Sequence, residues 1–195
     1  ALDSFDNPIV TWVETLISPN PTTGDEIFLR RYNGNSWEEV SGSATEASGG
    51  VSATNVYFSS APRVRVNRMN NPIVVWNETD SVGGQNIYLK YSSPAWDQLN
   101  QSATGWGLSQ SNIHATFPSL CLDANGNPVV AWQDDRTNDP FEQIFLRRWY
   151  QNVPLLTNQL DANGVSFLST GGLSDETTIV FKANMTSALS NKVRL

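Results

Sequence analysis

At 195 residues, with 39% hydrophobic side chains, the chain has apolar material for one folded domain with a sizeable core. A formal charge of -7 and a pI near 4.6 exclude nucleic acid or an anionic membrane surface as partner, since both demand clustered Lys and Arg. A single cysteine, Cys121, excludes an intrachain disulfide framework, and no run of about 18 apolar residues offers a membrane-spanning helix.

Taken in order, the chain begins with a turn remnant, Leu2-Asp3-Ser4-Phe5-Asp6, and then Asn7-Pro8-Ile9-Val10-Thr11-Trp12-Val13-Glu14. Asn-Pro favours a turn, the β-branched run favours an extended strand, and a carboxylate stands two residues beyond the Trp. The same phrase returns as Asn71-Pro72-Ile73-Val74-Val75-Trp76-Asn77-Glu78 and as Asn127-Pro128-Val129-Val130-Ala131-Trp132-Gln133-Asp134, at steps of 64 and 56 residues. A second strand follows each: Glu26 to Tyr32, Asn86 to Tyr91 and Gln143 to Trp149. Their period of two places Ile27 and Leu29 toward one neighbouring sheet, with Phe28 and the stem of Arg30 covering the other.

A short third strand is predicted at Ser36 to Val40, after an Asn33-Gly34-Asn35 turn, and at Ala95 to Leu99. Trp37 and Trp96 sit there as repeat-core residues. The third repeat replaces it with Gln151 to Leu156, without a Trp. Ser- and Gly-rich connectors, 41–52 and 100–111, both containing Ser-Ala-Thr, lead to the remaining strand, Ala61 to Val66 and Phe117 to Leu122, which returns through Asn67 to Asn70 or Asp123 to Gly126. A degraded fourth copy is predicted over 165–169, 179–184 and 192–195.

Four antiparallel strands per unit at this period are the signature of propeller blades. The expected fold is all-β: a single propeller-like domain over 1–195, with repeats at about 1–60, 61–116 and 117–164 and a partial fourth at 165–195. At these residues the chain resembles the bacterial sialidase-like (BNR-type) β-propeller repeats, strongly over 1–150 and weakly beyond. It departs from the Asp-box pattern of that family, because no Ser-x-Asp-x-Gly-x-Thr-Trp occurs and the Asp123 position is Asn67 in the second repeat. The resemblance implies the fold and not the activity.

Glu14, Glu78 and Asp134 share a strand face with the repeat Trp, so they either converge as oxygen ligands for a cation such as calcium or serve strand ends and neighbouring Arg residues. Asp123-Ala124-Asn125-Gly126-Asn127 has alternating oxygen donors but no closing Glu, which favours an Asx turn. No catalytic residue is assigned. The loop carrying Asp135 and Arg136 is dense in charge but lacks the converging arginines of a sialidase site, and His114 is the only histidine, which leaves no multi-His site. Cys121 reads as a small core residue.

Trp106, between Gly105 and Gly107, and Trp149 fall outside the repeated tryptophans. With Asp135 and Arg136 they are the candidate ligand-binding residues, since exposed indoles stack on sugar faces. Trp106 has the alternative of plugging a gap between blades. Asn77, Asn100 and Asn184 head Asn-x-Ser/Thr sequences.

The functional expectation is an extracellular or cell-surface, non-catalytic module for glycan binding or adhesion. A sialidase-like glycoside hydrolase and a structural subunit of an extracellular assembly are the alternatives. No cofactor is required beyond possible calcium. Because three blades and a partial fourth lie at the bottom of the usual range of about 4–8, and Ala1 falls inside a repeat, the ring is expected to be completed by a second copy, as a homo-oligomer, or by further sequence of a longer chain.

Overall fold

The structure, a computed structural model, describes residues 1–16, 24–54, 58–79, 83–111, 113–135 and 142–149, together with the strands Leu156–Leu160 and Val180–Asn184. The fold is all-β, its named strands pair antiparallel, and the one helical element among the described residues is the 3-10 turn Glu46–Ser48. Two compact units are distinguished, Ala1–Trp149 and Tyr150–Leu195.

The first unit holds three sheets in chain order. Strands β1 (Ile9–Leu16), β2 (Gly24–Tyr32) and β3 (Trp37–Glu38) form one. Strands β4 (Phe58–Val66), β5 (Pro72–Thr79), β6 (Gln85–Ser92) and β7 (Trp96–Gln98) form the second, in that order. Strands β8 (Ala115–Leu122), β9 (Pro128–Asp134) and β10 (Gln143–Arg148) form the third. The middle sheet thus carries the four strands of the repeat, and the first keeps only a Leu2–Pro8 bridge in place of the leading strand. The outer strand predicted for the third repeat falls mainly outside the described residues.

Register follows from the repeat. Trp12 stands opposite Phe28, Trp76 opposite Tyr88 and Trp132 opposite Phe145, and each pair stacks with centroids 5.9 to 6.1 Å apart. The strands that precede β5 and β9 start earlier than the sequence predicts, and each is broken by a bulge, at Ser60/Arg63 and Thr116/Ser119. The cause is the same in both: Pro62 and Pro118 lack an N–H for the ladder, and Ala61 and Phe117 before them take positive φ of 51° and 53°.

Three equivalent turns feed the Asn-Pro strands. Asp3 Oδ1 accepts the amides of Phe5 and Asn7, Asn67 Oδ1 those of Met69 and Asn71, and Asp123 Oδ1 those of Asn125 and Asn127, all at 2.8 to 3.0 Å. Each is an Asx turn, and Asp6, Asn70 and Gly126 take the left-handed corner. An Asn can take the position because the two backbone amides share a single side-chain oxygen.

The core lies between successive sheets. Ile9, Ile27, Leu29 and Val51 of the first pack on Val74, Trp76 and Tyr88 of the second. Ile73, Val75, Ile87, Leu89 and Leu108 of the second pack on Val130 and Trp132 of the third, with Phe145 partly buried beside them. Every sheet therefore has a forward face, built on Ile-x-Leu, and a receiving face, built on Val-x-Trp and its aromatic partner, as the period-two reading of β2 predicts.

Two residues read as core are not. Cys121 is exposed, because Leu120 beside it turns inward and alternation sends its neighbour out. Trp37 is 45% exposed, leaning on Tyr32 at 5.6 Å, whereas Trp96 at the same repeat position is partly buried and donates its indole N–H to Val40 O of the preceding sheet at 2.8 Å.

In the second unit β11 (Leu156–Leu160) pairs with β12 (Val180–Asn184), Asn158 opposite Lys182. The strand predicted at 179–184 is present. Its partner comes from 156–160, which the repeat reading placed in the third copy, and the strands predicted at 165–169 and 192–195 lie outside the described residues.

Candidate binding surface on the connector loops

The connectors are built, not slack. Ser43 donates its hydroxyl to Leu29 O and accepts the Val40 amide, and Ser102 does the same with Leu89 O and the Leu99 amide, all at 2.7 to 2.9 Å. Further along, the amides of Val51 and Leu108 donate to Ile27 O and Ile87 O at 2.6 Å. The outer edge of β2 and of β6 is therefore sealed largely by its own connector, while β3 and β7 cover only two or three residues. Exposed strand edges invite foreign pairing, and this device removes one.

The connector also satisfies the residue that opens each second strand. Glu26, fully buried, accepts from the Ser52 hydroxyl and from the Thr54 amide and hydroxyl. Asn86 accepts from the Ser109 hydroxyl at 2.9 Å and the Ser111 amide at 3.1 Å. Ser111 in turn donates to Asp134 at 2.9 Å. The next sheet then clasps the connector: Lys90 Nζ donates to Val51 O and Ser52 O at 2.9 and 3.0 Å, and Arg147 Nη1 to Leu108 O at 2.6 Å.

Glu14, Glu78 and Asp134 do not converge. Each accepts a hydrogen bond from the indole N–H of the Trp two residues before it, at 3.1, 3.0 and 3.0 Å, on the strand face that the pleat dictates. Among the described residues no three His, Cys, Asp or Glu side chains are grouped to hold one metal ion. Desolvation raises the Glu78 carboxyl above its ordinary range, against the hydrogen bonds from Trp76 and Ser59, and Glu26 nearby raises it further. Desolvation lowers Lys90, while Glu78 and Glu26 act to raise it. Lys90 thus feels both carboxyl groups while its hydrogen bonds go to the connector carbonyls of Val51 and Ser52.

Asp123 is spent on its turn as well: besides the two amides it receives Asn127 Nδ2 at 3.0 Å and Arg148 Nε and Nη2 at 3.1 and 2.5 Å. Desolvation pushes its carboxyl up, but the bonds from Asn127 and Arg148 outweigh this and hold it well below the usual range. A depressed folded value contributes stability above the ordinary pKa of 3.8 and loses it as pH falls below. Asp123→Asn is therefore expected to melt lower than the parent at pH 7 and to lose part of the parent's decline below about pH 4. Melting curves at both pH values check this; a parallel decline in the two proteins refutes it.

Of the described candidate ligand residues, Trp106 alone stands clear. It is 55% exposed, between Gly105 and Gly107, both at positive φ, where the first connector has its 3-10 turn. Tyr88 Oη donates to Gly105 O at 2.7 Å, which pins the loop just before the indole. Trp149 occupies the repeat position of Tyr32, its amide donating to Pro128 O as that of Tyr32 does to Pro8 O, and it packs partly buried on the core beneath Arg147. That corrects its placement outside the repeat. Asp135 accepts the His114 amide at 3.0 Å, and Arg136 lies outside the described residues. Asn77 is buried and donates to Ala115 O, so it offers no free amide for glycosylation.

The feature that sequence reasoning missed is the connector anchoring. Its signal was present, since Ser-Ala-Thr and the Gly before Val51 or Leu108 recur in both copies.

No protein-family model and no curated protein matches the chain. Among solved structures it is similar to the endo-arabinase from Bacteroides thetaiotaomicron VPI-5482, with 16% identity and a TM-score of 0.46 over 77% of this chain. The match spans about half of that enzyme, 54% of its chain.

Proposed function

We propose that the chain is a non-catalytic binding module of the sialidase-like propeller type, each sheet a blade, acting outside the cell or at its surface on glycans. The observation that supports this most is Trp106. An indole that is more than half exposed, carried on a loop whose flanking residues are hydrogen-bonded to the sheet, offers a large apolar face on an anchored backbone. Among the described residues, the carboxylates of the three repeat strands serve their own indoles and Asp123 serves its turn, which is why binding is preferred to hydrolysis in this reading.

The test is a panel of immobilised polysaccharides probed with the parent and Trp106→Ala, with released reducing sugar measured alongside. The expected result is retention of the parent on at least one polysaccharide, a loss of about tenfold in affinity for the variant, the scale of one aromatic stacking contact, and an unchanged melting temperature. Sugar release by the parent supports the hydrolase alternative instead. Equal binding by the two proteins removes Trp106 from the site.

A further inference from the structure

The two connectors follow one plan as far as their shared threonine, and their chemistry parts around it. Thr45 Oγ1 donates to Glu39 Oε2 at 2.6 Å, and at the same repeat positions Thr104 Oγ1 donates to Gln98 Oε1 at 3.1 Å. The residue after the threonine is an exposed Glu46 in the first copy and Gly105 in the second. The copy that carries Trp106 therefore has an amide and a glycine where the other has two carboxylates. The bond from the threonine needs only an oxygen, so it survives the exchange, and the amide adds a donor. Gln98 Oε1 is taken by the Ala103 amide and by Thr104, while Nε2 makes no hydrogen bond among the described residues.

The middle sheet packs on a neighbour at each face, and its connector still leaves Trp106 55% exposed. Around the indole the loop is polar and uncharged: Gln101, Thr104 and Gln110 are exposed, and Gln110 Nε2 donates to Gly107 O. No Lys or Arg occurs from 91 to 135. Arg147 of the third sheet, which does reach this connector, gives Nη1 to Leu108 O. The loop thus offers a sugar carboxylate or sulfate no cation of its own, in a chain of net charge -7.

We propose that the Trp106 surface selects neutral pyranose polysaccharides over acidic ones, the indole taking the apolar face of a ring and Gln98 Nε2 donating to a hydroxyl at its edge. This rests on the glycan-binding reading above and narrows it to one class of sugar. An amide donates to a hydroxyl without a counter-charge, whereas an ionised Glu in its place could only accept.

The experiment measures retention of the full chain on β-glucan and galactomannan, which are neutral, and on polygalacturonate and chondroitin sulfate, which are acidic, at low and high salt. The expected result is retention on a neutral polymer that salt leaves unchanged, because no ion pair is involved, and none on the acidic pair. Gln98→Glu, which installs the residue of the first copy, should weaken that binding about tenfold, the upper scale of one hydrogen bond. Its melting temperature should match the parent's, since Glu39 already makes the same bond to Thr45. Acidic polymers held as firmly as neutral ones, or full-strength binding by Gln98→Glu, overturn the neutral-sugar assignment and leave glycan binding standing. The selectivity of the parent decides this without any variant. Retention on none of the polymers overturns both.

Discussion

Gly107→Ala is expected to destabilise the protein severely while Gly105→Ala, two residues away, does so mildly. Both glycines hold the left-handed region, at φ of 57° and 58°, so each substitution carries a similar backbone penalty of about 1–2 kcal/mol. They differ in surroundings. A Cβ at Gly105 meets nothing within 4 Å, whereas one at Gly107 falls well inside contact distance of Ile87 O, the carbonyl that accepts the Leu108 amide. Backbone on both sides of that bond has to separate, which opens the sealed edge of β6 and adds a further ~2 kcal/mol or more. Gly50 faces Ile27 O in the same way, so Gly50→Ala is expected to repeat the result in the first sheet. Denaturant midpoints of the Gly105 and Gly107 variants decide it, and equal shifts would show that conformation alone, not crowding, sets the cost.

Trp76→Ala is the other large effect. Its side chain is 1% exposed and stacks on Tyr88 in the interface between the first two sheets, so truncation leaves a cavity worth about 3–5 kcal/mol. The indole N–H is also a hydrogen-bond donor to Glu78, a buried carboxylate whose protonation is already favoured by desolvation. Trp106→Ala, by contrast, is expected to shift the midpoint within about 0.5 kcal/mol, as a surface truncation does. A comparable loss in both variants would contradict the division between interface and surface tryptophans.

These contrasts show where the sequence was legible and where it was not. The Val-x-Trp and Ile-x-Leu alternations are local properties of a pleated strand, so the two faces of β1, β5 and β9 and of β2, β6 and β10 could be read before any coordinates. The Asx turns were equally local, because Asp3, Asn67 and Asp123 each bond amides two and four residues ahead. Burial was not local. Trp37 and Trp96 have the same local pattern in sequence, a polar pair and then an aliphatic residue, but only Trp96 reaches across to a preceding sheet. The same limit applies to Glu14, Glu78 and Asp134: alternation placed each on the face of its Trp, but whether the three met one another or each served an indole was decided by inter-sheet geometry. The connectors were read as loops from their Ser and Gly content, although Ser43 and Ser102 use that content to bind strand carbonyls.

The anchoring of the connectors has one consequence for how such a chain changes over generations. Between the shared serine and the shared glycine the first connector, Ser43 to Gly50, is two residues longer than the second, Ser102 to Gly107, yet both ends bind the sheet through the same atoms. Insertions confined to that interval bear only the slowly growing entropy of loop closure, since the strand edge beneath is already satisfied. One copy has filled the interval with a polar 3-10 turn and the other with an exposed indole. Duplication thus hands each new repeat a segment in which length and chemistry drift freely, and a surface can be acquired in one repeat without renegotiating the packing of any other.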